Sequence, residues 1–322
     1  FRGALLVVSH DRAFLEQVVT SIVEIENHHL QTYDGSYSDY VQQKQFRLKN
    51  LEREFSNEQQ LLAYEQEAIS DRKEAVKNPT GVLKRRLANI KKSKNPRPVD
   101  TVVTAIYSGL HVHDNLAEIA GISKSYGEQQ LFDNLSFSIH RGDRIAITGP
   151  NGCGKTTLVD ILTESEKPDS GKIKWKTKAP SFIYYNQVLA DLDLDDTVTH
   201  SVNAMPDSLA LTATKKEVNR FLTLLQFSEM DLKTRIGVLS GGQKARVALA
   251  QCLLFGAGVI VLDEPTNHLD LQSTQVLERA LMAFPGAVII VSHDRFFVEK
   301  VAFRQLSFDG HGSVKEIAGV QM

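Results

Sequence analysis

Apolar positions along the chain follow two periods, and the points where one gives way to the other mark its elements. Short runs of strand type, DRIAIT at 143–148, VIVLDEP at 259–265 and AVIIV at 287–291, have the length and β-branched content of buried strands. Helical patterns follow at 158–165 and occur at 243–255, so the strand-to-helix order predicts an α/β fold. From 40 to 77 the pattern changes again. That stretch lacks Pro and Gly, and Leu48, Phe55, Leu62, Ile69 and Val76 recur every seven positions, whereas the second seam runs Leu51, Glu58, Glu65, Arg72. One narrow stripe predicts a helix roughly 57 Å long, at ~1.5 Å per residue, touching a single partner helix. Asn78-Pro79-Thr80-Gly81 breaks it, and Leu83, Leu87 and Ile90 form a short amphipathic return, which completes a helical hairpin before Pro96 and Pro98.

The run GALLVVSHDRAFLEQV at 3–18 recurs as GAVIIVSHDRFFVEKV at 286–301, an offset of 283 residues. A match of that length predicts that the chain opens inside the last part of one domain and then carries a second copy. The expected organisation is a first-domain remnant at 1–38, a hairpin linker at 39–98 and the second domain at 99–322. Phe1 in place of an initiator methionine fits the expectation of a piece of a longer protein.

Charge changes the picture of the linker. The formal net charge is −2, but residues 44–97 hold 14 Lys/Arg against 7 Asp/Glu, a net of +7, leaving −9 for the rest. From 84 to 97 there are seven bases and no acid. Two readings stand here: a solvated interdomain helix pair, or a surface for a phosphate backbone. Apolar residues make up 42% of the 322, enough for a sizeable core and too many for a disordered chain. No run approaches the ~18 apolar residues of a membrane span, and no signal-peptide pattern is present. Cys153 and Cys252 are too few for a disulfide framework.

Candidate chemistry begins with GPNGCGKTT at 149–157, a P-loop between its expected strand and helix. Gly149, Gly152 and Gly154 permit close backbone approach, Pro150 shapes the turn without a donor of its own, and consecutive backbone amides of the loop through Asn151 and Cys153 to Thr157, with the helix N-terminus, can surround phosphate oxygens. Lys155 is suited to neutralise the β/γ-phosphates and Thr156 to place its hydroxyl on Mg²⁺. Cys153 reads as a small loop residue, redox regulation being the alternative. VIVLDEP ends in two adjacent carboxylates: Asp263 suits the water shell of Mg²⁺, and Glu264 suits polarising the water that attacks the γ-phosphate.

With LSGGQ at 239–243 added to these motifs, the chain resembles an ATP-binding cassette domain, and in particular the ABC-F family, which carries two such cassettes in one polypeptide without transmembrane domains. The resemblance implies an α/β P-loop NTPase with an antiparallel β subdomain and an α-helical signature subdomain, preceded by the helical-hairpin linker. It implies that Tyr126 in SKSYG stacks on adenine, that Gln187 in YYNQ senses the γ-phosphate and Mg²⁺, and that His293 in VSHD contacts the γ-phosphate. Their local alternatives are a packed strand end, a turn cap and a structural histidine. Asn267 and Asp270, flanking His268 and Leu269, match a loop coupling two ATP sites, and His10 is the histidine of the first copy. Ser240, Gly241, Gly242 and Gln243 are implied to bind phosphate on a facing cassette and not in their own site.

By the same resemblance the expected cofactors are ATP and Mg²⁺, and the expected partners are the ribosome, its RNA and tRNA. The expected function is ATP hydrolysis coupled to translation in the cytoplasm, extending to antibiotic resistance by ribosome protection. A soluble cassette ATPase acting on DNA, and a transporter ATPase subunit, are the alternatives. Only one P-loop and one LSGGQ occur, so the upstream cassette is the expected internal partner, with head-to-tail self-association as its substitute and weak activity for a lone chain. No transmembrane partner is expected.

Overall fold

Strand β9 (Ala287–Val291) is buried at every one of its positions, as expected of a parallel strand covered on both faces. It sits inside a six-stranded sheet of the second of two compact units, Phe1–Arg97 and Pro98–Met322. The computed structural model describes residues 3–9, 12–26, 29–44, 46–47, 50, 114–176, 182–204, 214–255, 257–267 and 269–318. The heptad stripe from Leu48 to Val76, the hairpin turn, the basic run 84–97, His10 and His268 lie outside the described residues.

In the first unit, α1 (Arg12–Val18) precedes an antiparallel hairpin of β1 (Ser21–Glu26) and β2 (His29–Asp34). Residues 37–44 are helical and are held to that hairpin by side chains. Tyr33 and Tyr40 stack edge to face at 5.0 Å, the Tyr40 hydroxyl donates to Glu24 at 3.0 Å, and Lys44 pairs with the same carboxylate.

The six-stranded sheet of the second unit runs β11 (Val314–Ala318), β10 (Arg304–Phe308), β5 (Arg144–Thr148), β9, β8 (Val259–Asp263), β7 (Phe182–Tyr184), parallel throughout except for the edge strand β11. Period-two alternation divides two cores. Ile260, Leu262, Val288 and Ile290 face one side, where helices α3 (Tyr185–Ala190), α4 (Val198–Asn203), α5 (Lys215–Leu224) and α6 (Gly241–Leu254) contribute Tyr185, Val198, Phe221, Leu249 and Leu253. Val259, Val261, Ile289 and Val291 face the other, against α2 (Lys155–Leu162) and an antiparallel sheet of β4 (Gln129–His140), β3 (Asn115–Tyr126) and β6 (Ser170–Trp175). The expected antiparallel β subdomain and helical signature subdomain are therefore both present.

Two helices start earlier than their apolar pattern suggests. The helix expected over 158–165 is α2, which begins at Lys155 directly after the glycine loop, and the one expected over 243–255 is α6. Ser240 caps α6: its hydroxyl accepts from the Gln243 N–H, and the Gln243 side chain accepts in return from the Ser240 N–H. Helices α7 (Leu271–Ala283) and α8 (Arg295–Val301) complete the unit. Among the described residues no helix is long and apolar enough to cross a membrane.

Candidate active site

Because β5, β8 and β9 are parallel neighbours, their C-terminal ends open onto one cleft, the place where open α/β sheets bind ligands. From β5 the chain enters the loop 149–154. Gly149 and Gly154 have φ of +149° and +102°. A Cβ on Gly149 would lie 2.7 Å from Phe308 Cβ, and one on Gly154 would lie 2.9 Å from Leu131 Cβ, so both positions require glycine. Lys155 opens α2 and is buried. Its ammonium turns back on the loop, donating to the carbonyls of Gly149 at 2.9 Å and Pro150 at 2.8 Å. Those two oxygens hold a cation in the place where a phosphate oxygen could take it over.

Strand β8 ends at Asp263, and Glu264 follows with φ +48°, left-handed backbone that costs a non-glycine residue of order 1–3 kcal/mol. The Glu264 N–H donates to the Val291 carbonyl at 2.8 Å, so the strained residue is pinned to the end of β9. Its Oε2 accepts from the His293 N–H at 3.4 Å, and its Oε1 stands 3.7 Å from His293 Nε2. Oε1 is buried with no hydrogen-bond partner among the described residues. Burial pushes the Glu264 carboxyl above the ordinary glutamate range, and burial does the same to Asp263. An orphaned carboxylate oxygen with a raised proton affinity is suited to receive a proton from water.

The cleft has a volume of about 590 Å³. It brings together Tyr126 from β3, Asn151, Gly152, Gly154, Lys155, Thr156 and Thr157 from the loop and the start of α2, and Asp263, Glu264, Asn267 and His293 from the segments that follow β8 and β9. Gly149, Pro150 and Cys153 belong to the loop but stand outside this lining, Cys153 being buried behind it. Gln187 also stands outside the lining, exposed on α3; its neighbour Asn186 is the side chain near Asp263, 3.5 Å from Oδ2, with the Tyr184 hydroxyl at 3.4 Å. The signature residues Ser240–Gln243 lie outside the lining too. Asp270 caps α7 through the Ser273 N–H at 2.8 Å and accepts from Gln226 at 2.8 Å.

Thr156 and Asp263 share the cleft, as a magnesium site requires. Among the described residues no group of three or more His, Cys, Asp or Glu is placed to hold a metal, so a cation here depends on phosphate oxygens and water for its remaining ligands. The residues present fit Mg²⁺ carried by a nucleotide. Gln129 and Leu131 on β4 line the cleft without any motif to announce them, whereas Tyr184 and Asn186 lie within YYNQ, whose motif singled out only Gln187.

Two family models, each described as ABC transporter, match residues 132–267 and 23–101. The energy-dependent translational throttle protein EttA of Escherichia coli K12 is 31% identical over 322 residues, covering 99% of this chain and 57% of EttA. The ATP-binding protein Uup-like of Haemophilus influenzae is 31% identical over 323 residues, covering 99% of this chain and 70% of its own. In the solved complex of the archaeal ribosomal stalk protein aP1 with the archaeal ribosome recycling factor aABCE1, one chain is 28% identical with a TM-score of 0.53, over 64% of this chain and 40% of that one. The present chain spans little more than half the length of EttA.

Proposed function

The chain belongs to the ABC-F family of ATP-binding cassette proteins, and on that premise we propose that it binds ATP in the cleft at 149–157, hydrolyses it to ADP and phosphate, and couples this cycle to the ribosome and to translation. The observation that carries the enzymatic half is the buried Glu264 Oε1, which accepts no hydrogen bond among the described residues, in the same cleft as the Lys155 loop. Lys155 exchanges its loop carbonyls for phosphate oxygens, and the loop amides take the remaining charge. Glu264 orients a water and accepts its proton as the water oxygen attacks phosphorus, while His293, beside Glu264, meets the γ-phosphate. Mg²⁺, when bound, neutralises phosphate charge, and Thr156 and Asp263 would hold it. Gln187 belongs to the same assembly by its motif and would reach it through a shift in the first turn of α3.

Ser240–Gln243 stand outside the cleft, which supports their service to a facing cassette, upstream in the same polypeptide or in a second copy. Asn267, at the cleft, and Asp270, three residues on, are the proposed link between the two sites. The ribosomal half rests on the translational relative and on the +7 stretch at 44–97, since phosphate contacts can dominate affinity for RNA without reading bases. In the full-length protein, Glu264→Gln should trap an ATP-dependent ribosome complex, measured by cosedimentation across a salt series. Neutralising Lys84, Arg85, Arg86, Lys91 and Lys92 should then weaken retention and flatten its salt dependence; unchanged retention and slope would defeat the RNA role. Preference for branched DNA over ribosomes in competition would move the assignment to a DNA-directed ATPase.

A further inference from the structure

Tyr126 lines the cleft and is held by Lys124, its neighbour within SKSYG, and by Glu166 and Asp169, two acids distant in sequence that no motif singled out. Lys124, two residues before it on β3, is buried, with only 8% of its surface exposed. Its ammonium has three oxygen neighbours: Glu166 Oε1 at 2.8 Å, the Lys167 carbonyl at 3.0 Å and Asp169 Oδ1 at 3.2 Å. A lysine ammonium carries three donors, so its position is fully determined. That fixed cation lies 5.3 Å from the centroid of the Tyr126 ring, within cation–π range. The Tyr126 hydroxyl donates to the Glu166 carboxylate, at 2.6 and 2.7 Å from its two oxygens. Asp169 ties the strand itself down, accepting from the Ser125 N–H at 2.7 Å while its own N–H donates to the Ser123 carbonyl at 2.9 Å.

We propose that Lys124, Glu166 and Asp169 are positioning residues that lock the Tyr126 ring as the base-stacking wall of the nucleotide cleft. The physical reason is entropy. Tyr126 is 52% exposed, and an unrestrained aromatic side chain would lose rotamer freedom each time a base stacked on it. Here the hydroxyl is tethered and the ring rests against a cation that cannot move, so the wall is ready before the base arrives. Glu166 and Asp169 lie in the segment after the C-terminal end of α2, whose N-terminus opens at the phosphate loop, so one short stretch of chain carries both the phosphate cradle and the acids that hold the base wall. The carboxylate of Glu166 is held below the ordinary glutamate range, chiefly by Lys124, and the lock therefore persists into mildly acidic solution.

This inference rests on the nucleotide reading of the cleft, and its test separates the two. Binding of Mg-ATP and of magnesium tripolyphosphate, which has the phosphates and no base, is compared by calorimetry for wild type, Glu166→Ala, Tyr126→Ala and the double variant. Base stacking on an aromatic side chain supports a loss of roughly five- to tenfold in ATP affinity for each single variant. Tripolyphosphate affinity should stay within about twofold, and the double variant should be no weaker than Tyr126→Ala alone, as expected of residues acting through one ring. Tyr126→Phe, which keeps the ring and loses only the tether, should weaken ATP by roughly threefold, and it carries the test should Glu166→Ala fail to fold. Unchanged ATP affinity in Tyr126→Phe and Glu166→Ala, or equal weakening of both ligands, overturns the positioning role. Wild-type protein that binds tripolyphosphate and ATP equally well overturns it while sparing the phosphate site. Binding of neither ligand rejects the nucleotide site, and this proposal with it.

Discussion

Glu264 is the residue at which stability and chemistry pull apart. Its backbone is left-handed and its carboxyl is half-buried, with a folded-state proton affinity raised above the ordinary value of 4.5. A carboxyl raised in this way binds more protons folded than unfolded, so it costs stability above its folded pKa. That cost disappears as pH falls through the raised value to 4.5, where both states are protonated. Glu264→Gln removes the buried charge and keeps the shape. It should raise Tm at neutral pH by roughly 1–3 °C in scanning calorimetry while cutting hydrolysis by about a hundredfold or more. The wild-type rate, followed against pH, should fall on an acid limb lying above the usual glutamate range, from which protonation of the same group removes the base. Lys155→Ala should weaken Mg-ATP by at least about tenfold in a folded protein, because charge-assisted phosphate contacts lose their cation and the loop amides cannot supply one. Unchanged affinity by calorimetry would remove Lys155 from the site.

Between elements, the register of the parallel sheet is secured by one buried guanidinium. Arg144, the first residue of β5, is 3% exposed, and it donates to the Leu281 carbonyl at 2.8 Å, to the Gly286 carbonyl at 2.7 Å and to the Phe284 carbonyl. Those carbonyls belong to the last turn of α7 and the segment entering β9, where the intrahelical ladder ends and the guanidinium supplies donors beside the Phe284 N–H that reaches the Leu281 carbonyl. The guanidinium therefore joins the strand that leads to the phosphate loop with the one that leads to His293. Arg144→Met fills similar space but removes the guanidinium's hydrogen bonds to these buried carbonyls. It should cost about 3 kcal/mol in urea unfolding, far more than an exposed arginine loss. A small change in midpoint would mean that the sheet aligns without it.

At the scale of the whole molecule, Ser240 caps α6 outside the lining that holds Lys155 and Glu264, and Ser240–Gln243 are proposed to act on a facing cassette. The chain of 322 residues should accordingly bind ATP and turn it over slowly when dilute, with specific activity rising as concentration permits head-to-tail pairing. Turnover measured over a hundredfold range of protein concentration checks this, and robust activity independent of concentration would refute the two-cassette site.

What could be read from the chain alone is whatever physical chemistry confines to a short run. A phosphate cradle needs glycines, a lysine and a hydroxyl within nine residues, and strand and helix periods are local, so β5, β8, β9, the P-loop, the Asp263-Glu264 pair and the signature helix were legible. Strand order was not, because a period of two tells which face of a strand is buried and not which strand lies beside it. That order is what delivers Tyr184 and Asn186 to Asp263 and Val291 to the Glu264 amide, while packing of the separate β4-β3-β6 sheet brings Leu131 to the loop. The Lys124–Glu166 pair spans 42 positions, and no local pattern links its members. Only tertiary packing brings such groups together, since burying both faces of a parallel sheet depends on contacts among segments far apart in the chain.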